Sequence, residues 1–372
     1  MQKGIEKRRL KAQKSDKNLN TTNIIGNTAD NKVLNPAIEF MSRISNVTLL
    51  GGTGFVGTQL TVDLARHCDQ VTVLTRHKQR CRDLQVLTNV DIQECDVHDE
   101  DALGTALKDA NVVINLVGIL NQSHGSDDNT FEAAHAELTR KVVEAVSRSS
   151  VSSYLHMSSL GADANDGNSE YLRSKGLAEQ HVQTVLSGGT PATIFRPSVI
   201  FGEEDSFFNR FATLLRAMPV FPLACPDARM SPVYVQDVCN AMIAALDVDV
   251  PTSSGNYKLH AADQGMGLRS VELCGPADYT LRELVQFTAD TMGIKRKIIG
   301  LPDWAARAQG KVMGMLPAAP FSTDNYLSLQ TDSVSDVEQC RQVTSIQSVV
   351  PRYLGDQGLR SDQQRYRALA RR

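Results

Sequence analysis

The sequence has no apolar run long enough to cross a bilayer. Its longest, Val112–Leu120, is interrupted by Asn115, and a spanning helix needs about 20 apolar residues. No two of the seven cysteines (Cys68, Cys81, Cys95, Cys225, Cys239, Cys274 and Cys340) form a C-x-x-C pair. An odd, scattered set argues against a zinc site or a disulfide framework and fits reduced, buried thiols. None of the eight histidines stands in H-E-x-x-H spacing, so no metal is expected. There is no excess of positive charge: 39 Lys and Arg face 42 Asp and Glu, for a net −3. That balance excludes nucleic acid as the main partner. No internal repeat is visible. What remains is a soluble globular composition, 41% hydrophobic and 22% charged over 372 residues, enough chain for about two domains.

Residues 1–40 stand apart. Eight Lys or Arg face four Asp or Glu there, a net of +4 that leaves −7 for the rest. The segment is polar and without helical periodicity, so it reads as a disordered basic tail. It has no apolar core for a signal peptide. It is rich in Lys and carries Glu6 and Asp16, which argues against a mitochondrial presequence. Met41 stands just before the first apolar strand, and the expectation is a start-site extension without function.

From Asn46 onward, short apolar runs alternate with segments of helical spacing. Strands are expected at Val47–Leu50, Val71–Thr75, Val90–Cys95, Val112–Val117, Tyr154–Met157 and Ala192–Phe195. Helices are expected at Gly54–His67, Asp99–Lys108, Phe131–Ser147 and Tyr171–Leu186. Such alternation implies an α/β Rossmann fold, a doubly wound parallel sheet over residues 41–200. Beyond Phe201 the pattern loosens. Short strands (Val233–Val235, Tyr257–His260, Val271–Leu273) mix with helices (Leu281–Met292, Asp303–Met313), which suggests a smaller C-terminal α/β lobe over 201–330. Residues 331–372 read as a C-terminal tail, basic from Arg360 on and either solvated or used for docking.

The strongest local motif is Gly51-Gly52-Thr53-Gly54-Phe55-Val56-Gly57, a G-x-x-G-x-x-G unit between a strand and a helix. Gly51 suits a tight turn, Gly54 lets backbone approach a pyrophosphate, and Gly57 lets helix and strand pack closely. The helix start adds N–H donors and a positive dipole end. The second strand ends in Thr75-Arg76, where an NAD-preferring site usually has a carboxylate. Without that repulsion, Arg76 can bind a 2′-phosphate, so NADP(H) is favoured over NAD(H); the bland alternative is a solvated loop charge. Asp96, before Val97, is placed to accept from the adenine amino group. Leu116-Val117-Gly118 ends the fourth strand, where Gly118 lets the loop pass the cofactor ribose.

At the other end, Tyr171 and Lys175 form a Y-x-x-x-K unit with both side chains on one helix face. A nearby ammonium favours tyrosinate, which makes Tyr171 a usable acid or base near neutrality. Lys175 can also hold the ribose hydroxyls. Ser158 and Ser159 follow a strand and can polarise a carbonyl. Pro197-Ser198-Val199 follows the next strand, with backbone that can meet the nicotinamide amide.

With these motifs the chain resembles the extended and atypical short-chain dehydrogenase/reductase superfamily, the NAD-dependent epimerase/dehydratase type, over about residues 46–300. More closely, Asn111–Gly118, Tyr171–Lys175, Arg196–Gly202 running on to Ala212, Pro232–Val238, Cys274–Pro276 and Leu301–Trp304 are similar to the dehydrogenase-like accessory subunit of respiratory complex I and its bacterial relatives. That resemblance implies tightly held NADPH acting as a structural cofactor. It implies partners among complex I subunits at the membrane surface, and a cytoplasmic location, peripheral on the inner membrane (the matrix side in a eukaryote). Two departures weigh against turnover. His135 stands where the superfamily usually has an active-site asparagine, and the segment between Ser159 and Tyr171 is short, leaving less chain to wrap a large sugar nucleotide. Two functions stay open: an accessory or assembly component of NADH:ubiquinone oxidoreductase or of quinone metabolism, and a free-standing NAD(P)-dependent reductase, epimerase or dehydratase using Ser, Tyr and Lys.

Overall fold

The computed structural model describes residues 44–81, 83–122, 130–248, 251–252, 255–256, 259–314 and 321–355. The basic segment 1–40, the basic stretch after Arg360, and Tyr257 and Lys258 of one expected strand lie outside these residues.

Six apolar runs form parallel strands: β1 (Ile44–Leu50), β2 (Cys68–Thr75), β3 (Val90–Glu94), β4 (Val112–Asn115), β5 (Ser153–Met157) and β6 (Ala192–Pro197). Across the sheet the order is Ala262–Gly265, Leu268–Leu273, β6, β5, β4, β1, β2, β3. Leu268–Leu273 runs parallel to β6, and the Ala262–Gly265 edge is antiparallel. The strand order reverses between β1 and β4. In such sheets ligands bind in the crevice beyond the carboxyl ends of the strands at that reversal.

Successive strand side chains point to opposite faces, and each face is covered. On one side Leu49, Val71 and Val73 pack with Leu60 and Leu64 of α1 (Phe55–Leu64) and with Val238 and Met242 of α6 (Val235–Ala244). On the other, Leu50, Leu74 and Val113 meet α2 (Glu100–Ala106), α3 (Leu138–Ser147) and α4 (Glu170–Leu186) through Leu103, Val142 and Val182. A further core joins α5 (Phe208–Ala217), α7 (Leu281–Thr291) and α10 (Ile346–Leu354) through Phe208, Leu215, Leu284 and Val350.

The expected elements from Val47 to Leu186 are present with ends moved by a few residues. The fourth strand stops at Asn115, whose side-chain oxygen takes the Val117 N–H at 3.1 Å and so ends the ladder. The expected helix at Phe131–Ser147 begins as a π-helical segment, Glu132–Glu137, before continuing as α3.

The smaller lobe expected over 201–330 shares its chain with the main sheet: α6 packs on that sheet, and 262–273 extends it beyond β6. Without that extension β6 would leave an open, hydrogen-bonding edge. One boundary read from the sequence needs correcting, because 331–355 is not a tail. Ser333 and Arg341 form bridges to Met230 and Cys274, and α10 (Ile346–Leu354) buries Ile346, Val350 and Leu354 in the third core.

Candidate functional site at the carboxyl end of the sheet

The glycine loop joins β1 to α1. Gly51 has φ +77°, the left-handed region that glycine enters without strain. A β-carbon there would also stand 2.9 Å from the Leu116 carbonyl carbon and the Val117 nitrogen. At Gly57 a β-carbon would lie 2.3 Å from the Gly51 oxygen, so only glycine lets α1 approach the loop. Gly54 differs. It is exposed, caps α1 with φ −80°, and a β-carbon would meet only the Gly51 oxygen, at 3.4 Å. Thr53 is exposed beside it, and Phe55 and Val56 are half-buried.

Arg76 is exposed at the end of β2. Asp96 is exposed after β3, where its Oδ1 accepts the His98 N–H at 3.0 Å; Val97 is half-buried. Across the reversal, the loop after β4 is pinned at each step. Leu116 N–H donates to Leu50 O at 2.9 Å, Val117 N–H to Asn115 Oδ1, and Ile119 N–H to His135 Nε2 at 3.0 Å. Gly118 passes so close to Lys175 that a β-carbon would stand 3.1 Å from Nζ.

Tyr171 and Lys175 sit in the first turns of α4. Ser169 caps that helix, its side chain accepting the Leu172 N–H at 3.1 Å. Asp324, on α9 (Thr323–Ser328), accepts the Glu170 N–H at 2.7 Å and the Tyr171 N–H at 3.4 Å. Carboxylates are favoured at such a helix start. Lys175 is buried, its Nζ donating to Met157 O at 3.0 Å, and burial lowers its pKa to about 8.

The tyrosine contradicts the sequence expectation. Burial pushes its phenol up, the Asp324 charge adds to the rise, and only a hydrogen bond with Ser159 opposes it. The Lys175 ammonium is held by the Met157 carbonyl, and the net push on the phenol is upward, away from neutrality.

Ser158 is buried at the end of β5, and its Oγ has no hydrogen-bond partner among the described residues. An unpaired buried hydroxyl carries a cost of about 1–3 kcal/mol, and this one borders a cavity of about 590 Å³. Ser159, Tyr171, Lys175, Gly118 and Phe55 line the same cavity. Pro197, Ser198 and Val199 line it too, with much of their backbone already engaged. Pro197 O accepts from Leu160 N, Ser198 N–H donates to Leu273 O, and Val199 O accepts from Val233 N. The Ser198 hydroxyl donates to Ser333 O at 2.7 Å. The structure therefore narrows what that segment can offer a ligand.

His135 occupies the π-helical turn. Nε2 accepts the Ile119 N–H, which assigns the ring proton to Nδ1, donated to Ser174 Oγ at 2.8 Å; that hydroxyl donates to Tyr171 O at 2.8 Å. Burial, then the Lys175 and His156 charges, lower the His135 pKa to about 2. It is a neutral, fully bonded strut. Sequence reading missed Ser174 and Asp324. Ser174 could have been found from its i+3 spacing to Tyr171; Asp324 lies 153 residues away and left no local signal. Among the described residues, no group of His, Cys, Asp or Glu is arranged to hold a metal, and no helix is long and apolar enough to cross a membrane.

The profile of the NAD dependent epimerase/dehydratase family matches residues 47–258. NADH dehydrogenase (ubiquinone) 1 alpha subcomplex subunit 9, mitochondrial, of Mus musculus is 30% identical over 310 residues, 80% of this chain and 74% of that protein. Its Arabidopsis thaliana counterpart is 31% identical, over 78% of this chain and 71% of that protein. A ceramide reductase of Caulobacter vibrioides is 26% identical over 69% of this chain and 74% of its own. Among solved structures, UDP-glucuronic acid 4-epimerase from Bacillus cereus, in complex with UDP-glucuronic acid and NAD, superposes with a TM-score of 0.56 at 15% identity, covering 77% of this chain and 99% of that one. A reversed parallel sheet, a glycine loop closed around Gly51 and Gly57, and a Y-x-x-x-K helix facing that loop agree with the profile match: the chain belongs to the NAD dependent epimerase/dehydratase family.

Proposed function

We propose that this protein is a peripheral, NADPH-binding accessory component of an NADH:ubiquinone oxidoreductase. The dinucleotide reading is supported by residues that fit one. The Gly51–Gly57 loop and the start of α1 would hold the pyrophosphate, Arg76 the 2′-phosphate, and Asp96 the adenine. Gly118 admits the ribose beside Lys175, and the unpaired Ser158 hydroxyl awaits a polar partner. When bound, a nicotinamide supplies hydride-transfer chemistry. The preference for NADP(H) over NAD(H) rests on Arg76 and on the absence of a carboxylate at the end of β2.

The observation that carries an accessory role is the state of Tyr171 and Lys175. The phenol is pushed up by burial, and the ammonium is anchored to a backbone carbonyl. A working general acid or base needs a pKa near the operating pH; the phenol is moved away from it, and with the ammonium tied to a carbonyl the pair is arranged to position. Similarity to the subunit 9 proteins over more than three quarters of the chain supports complex I as the partner. Purification of the native protein from membranes tests this. It should comigrate with NADH:quinone activity on a native gel and release NADPH on denaturation. A free protein without bound dinucleotide would overturn the proposal.

A second reading has its own support. Ser159 lines the cavity with Tyr171 beside the unpaired Ser158, a pair of hydroxyls able to polarise a carbonyl, and one relative is named a ceramide reductase. On that reading the protein is a free-standing reductase.

A further inference from the structure

The 590 Å³ cavity falls within the range of about 300–1,000 Å³ that encloses small organic ligands. Its lining is lopsided. Ser158, Ser159, Tyr171 and Lys175 mark one end. Phe207, Phe211, Leu214 and Met218 wall much of the rest with Phe221 and Met313, and Ser206, Arg210, Gln309 and Asn325 are interspersed among them. Among the described residues, the only charged side chains in the lining are Lys175 and Arg210.

The segment from Phe207 to Met218 explains the apolar wall. α5 is apolar on two faces. Phe208, Ala212 and Leu215 are fully buried in the third core. Phe207, Phe211, Leu214 and Met218, spaced i, i+4, i+7 and i+11 on one helical face, are only half-buried and face the cavity. An ordinary surface helix has one apolar stripe; the second stripe here borders internal space. Met218 and Met313 add side chains that adapt to an irregular occupant.

We propose that this cavity binds a long aliphatic chain with an oxygen-bearing head, the head at Ser158 and Tyr171 and the chain along α5. A nucleotide sugar is the poorer occupant. Its diphosphate calls for several charge-assisted partners, and the lining offers only Arg210 and a Lys175 ammonium already bonded to Met157 O among the described residues. Apolar walls favour ligands in proportion to the apolar area removed from water. The placement of the head rests on the dinucleotide reading above; the placement of the chain does not.

The test is calorimetric titration of the full chain with octanol, decanol, dodecanol and UDP-glucose, with and without NADPH. Affinity should rise by about fourfold for each methylene buried, and UDP-glucose should give no binding heat. Phe211→Glu should lower dodecanol affinity by at least about tenfold, the loss of roughly two buried methylenes, with NADPH affinity unchanged. Should that variant not fold, Leu214→Phe, which shortens the cavity, should instead shift the preference to octanol. An affinity independent of chain length, or UDP-glucose binding tighter than dodecanol, with NADPH still bound, overturns this inference alone. A normal chain-length series without NADPH binding overturns the dinucleotide reading alone.

Discussion

His135 Nδ1 lies 2.8 Å from Ser174 Oγ, and the opposite nitrogen of the same ring accepts the Ile119 amide. Both nitrogens are engaged only while the ring is neutral. A proton on Nε2 would point at an N–H. The folded pKa near 2, against an ordinary 6.5, sets the sign. Between those values the unfolded chain binds a proton that the folded chain refuses, so stability falls as pH drops below 6.5. His135→Asn should remove about one proton from that dependence, roughly 1.4 kcal/mol per pH unit. Urea denaturation at pH 6 and pH 5 measures it; a slope equal to the parent's would sink the assignment.

On the proposed reading, Arg76 decides between NADPH and NADH. A hydrogen bond to a charged group contributes about 1.5–3 kcal/mol. Arg76→Ala should therefore weaken NADPH by about 10–100-fold and leave NADH nearly unchanged. Fluorescence titration of both nucleotides checks this, and equal losses would reject the role.

Gly54 and Gly57 separate binding from folding. A β-carbon at Gly57 meets backbone at 2.3 Å, whereas at Gly54 it meets only the Gly51 oxygen, at an ordinary 3.4 Å. Gly57→Ala should lower the melting temperature with or without nucleotide. Gly54→Val should fold as the parent does and lose the rise in melting temperature that NADPH confers by mass action. Equal behaviour of the two would contradict the loop geometry.

Tyr171→Phe distinguishes the two functional readings. An accessory role predicts unchanged NADH:quinone activity in membranes from the mutant strain, while Gly54→Val impairs it. Loss of a general acid or base would instead cost about 10²–10⁴-fold in turnover. A Tyr171→Phe strain as defective as Gly54→Val, with NADPH still bound, would establish a working reductase.

Glu179 is buried in α4 and takes one edge of the Arg196 guanidinium, Oε1 accepting from Nε at 2.8 Å and Oε2 from Nη2. Removing one partner of such a pair strands a charge, typically a loss of about 3–5 kcal/mol. Arg196→Ala should fall at the lower end, because water reaches the arginine side. Denaturant titration gives the value, and a change below about 0.5 kcal/mol, ordinary for a surface substitution, would mean the pair is not buried in solution.

The sequence made the Rossmann half readable because its signals are local. Runs such as Val112–Ile114 and the spacing of Gly51, Gly54 and Gly57 each act within a few residues. The second half resisted for the opposite reason. Leu268–Leu273 looks like any short strand, and nothing nearby says that it pairs with β6. At the site, residue types pointed to Ser158, Tyr171 and Lys175, and the cavity brings them together. What spacing could not supply was solvent exclusion. The tyrosine's ionisation turns on burial and on Asp324, a residue from the far end of the chain.

The return of the chain to its main sheet has a consequence during synthesis. When β6 has left the ribosome, its partner Leu268–Leu273 is still about seventy residues away. At roughly 5–20 residues per second, that strand's outer edge waits about 4–14 s for its neighbour. Through that interval the newborn protein presents an apolar, unpaired strand to every other chain nearby. A chaperone, or a slow initiation rate that keeps nascent copies apart, would then govern yield more than the stability of the finished fold.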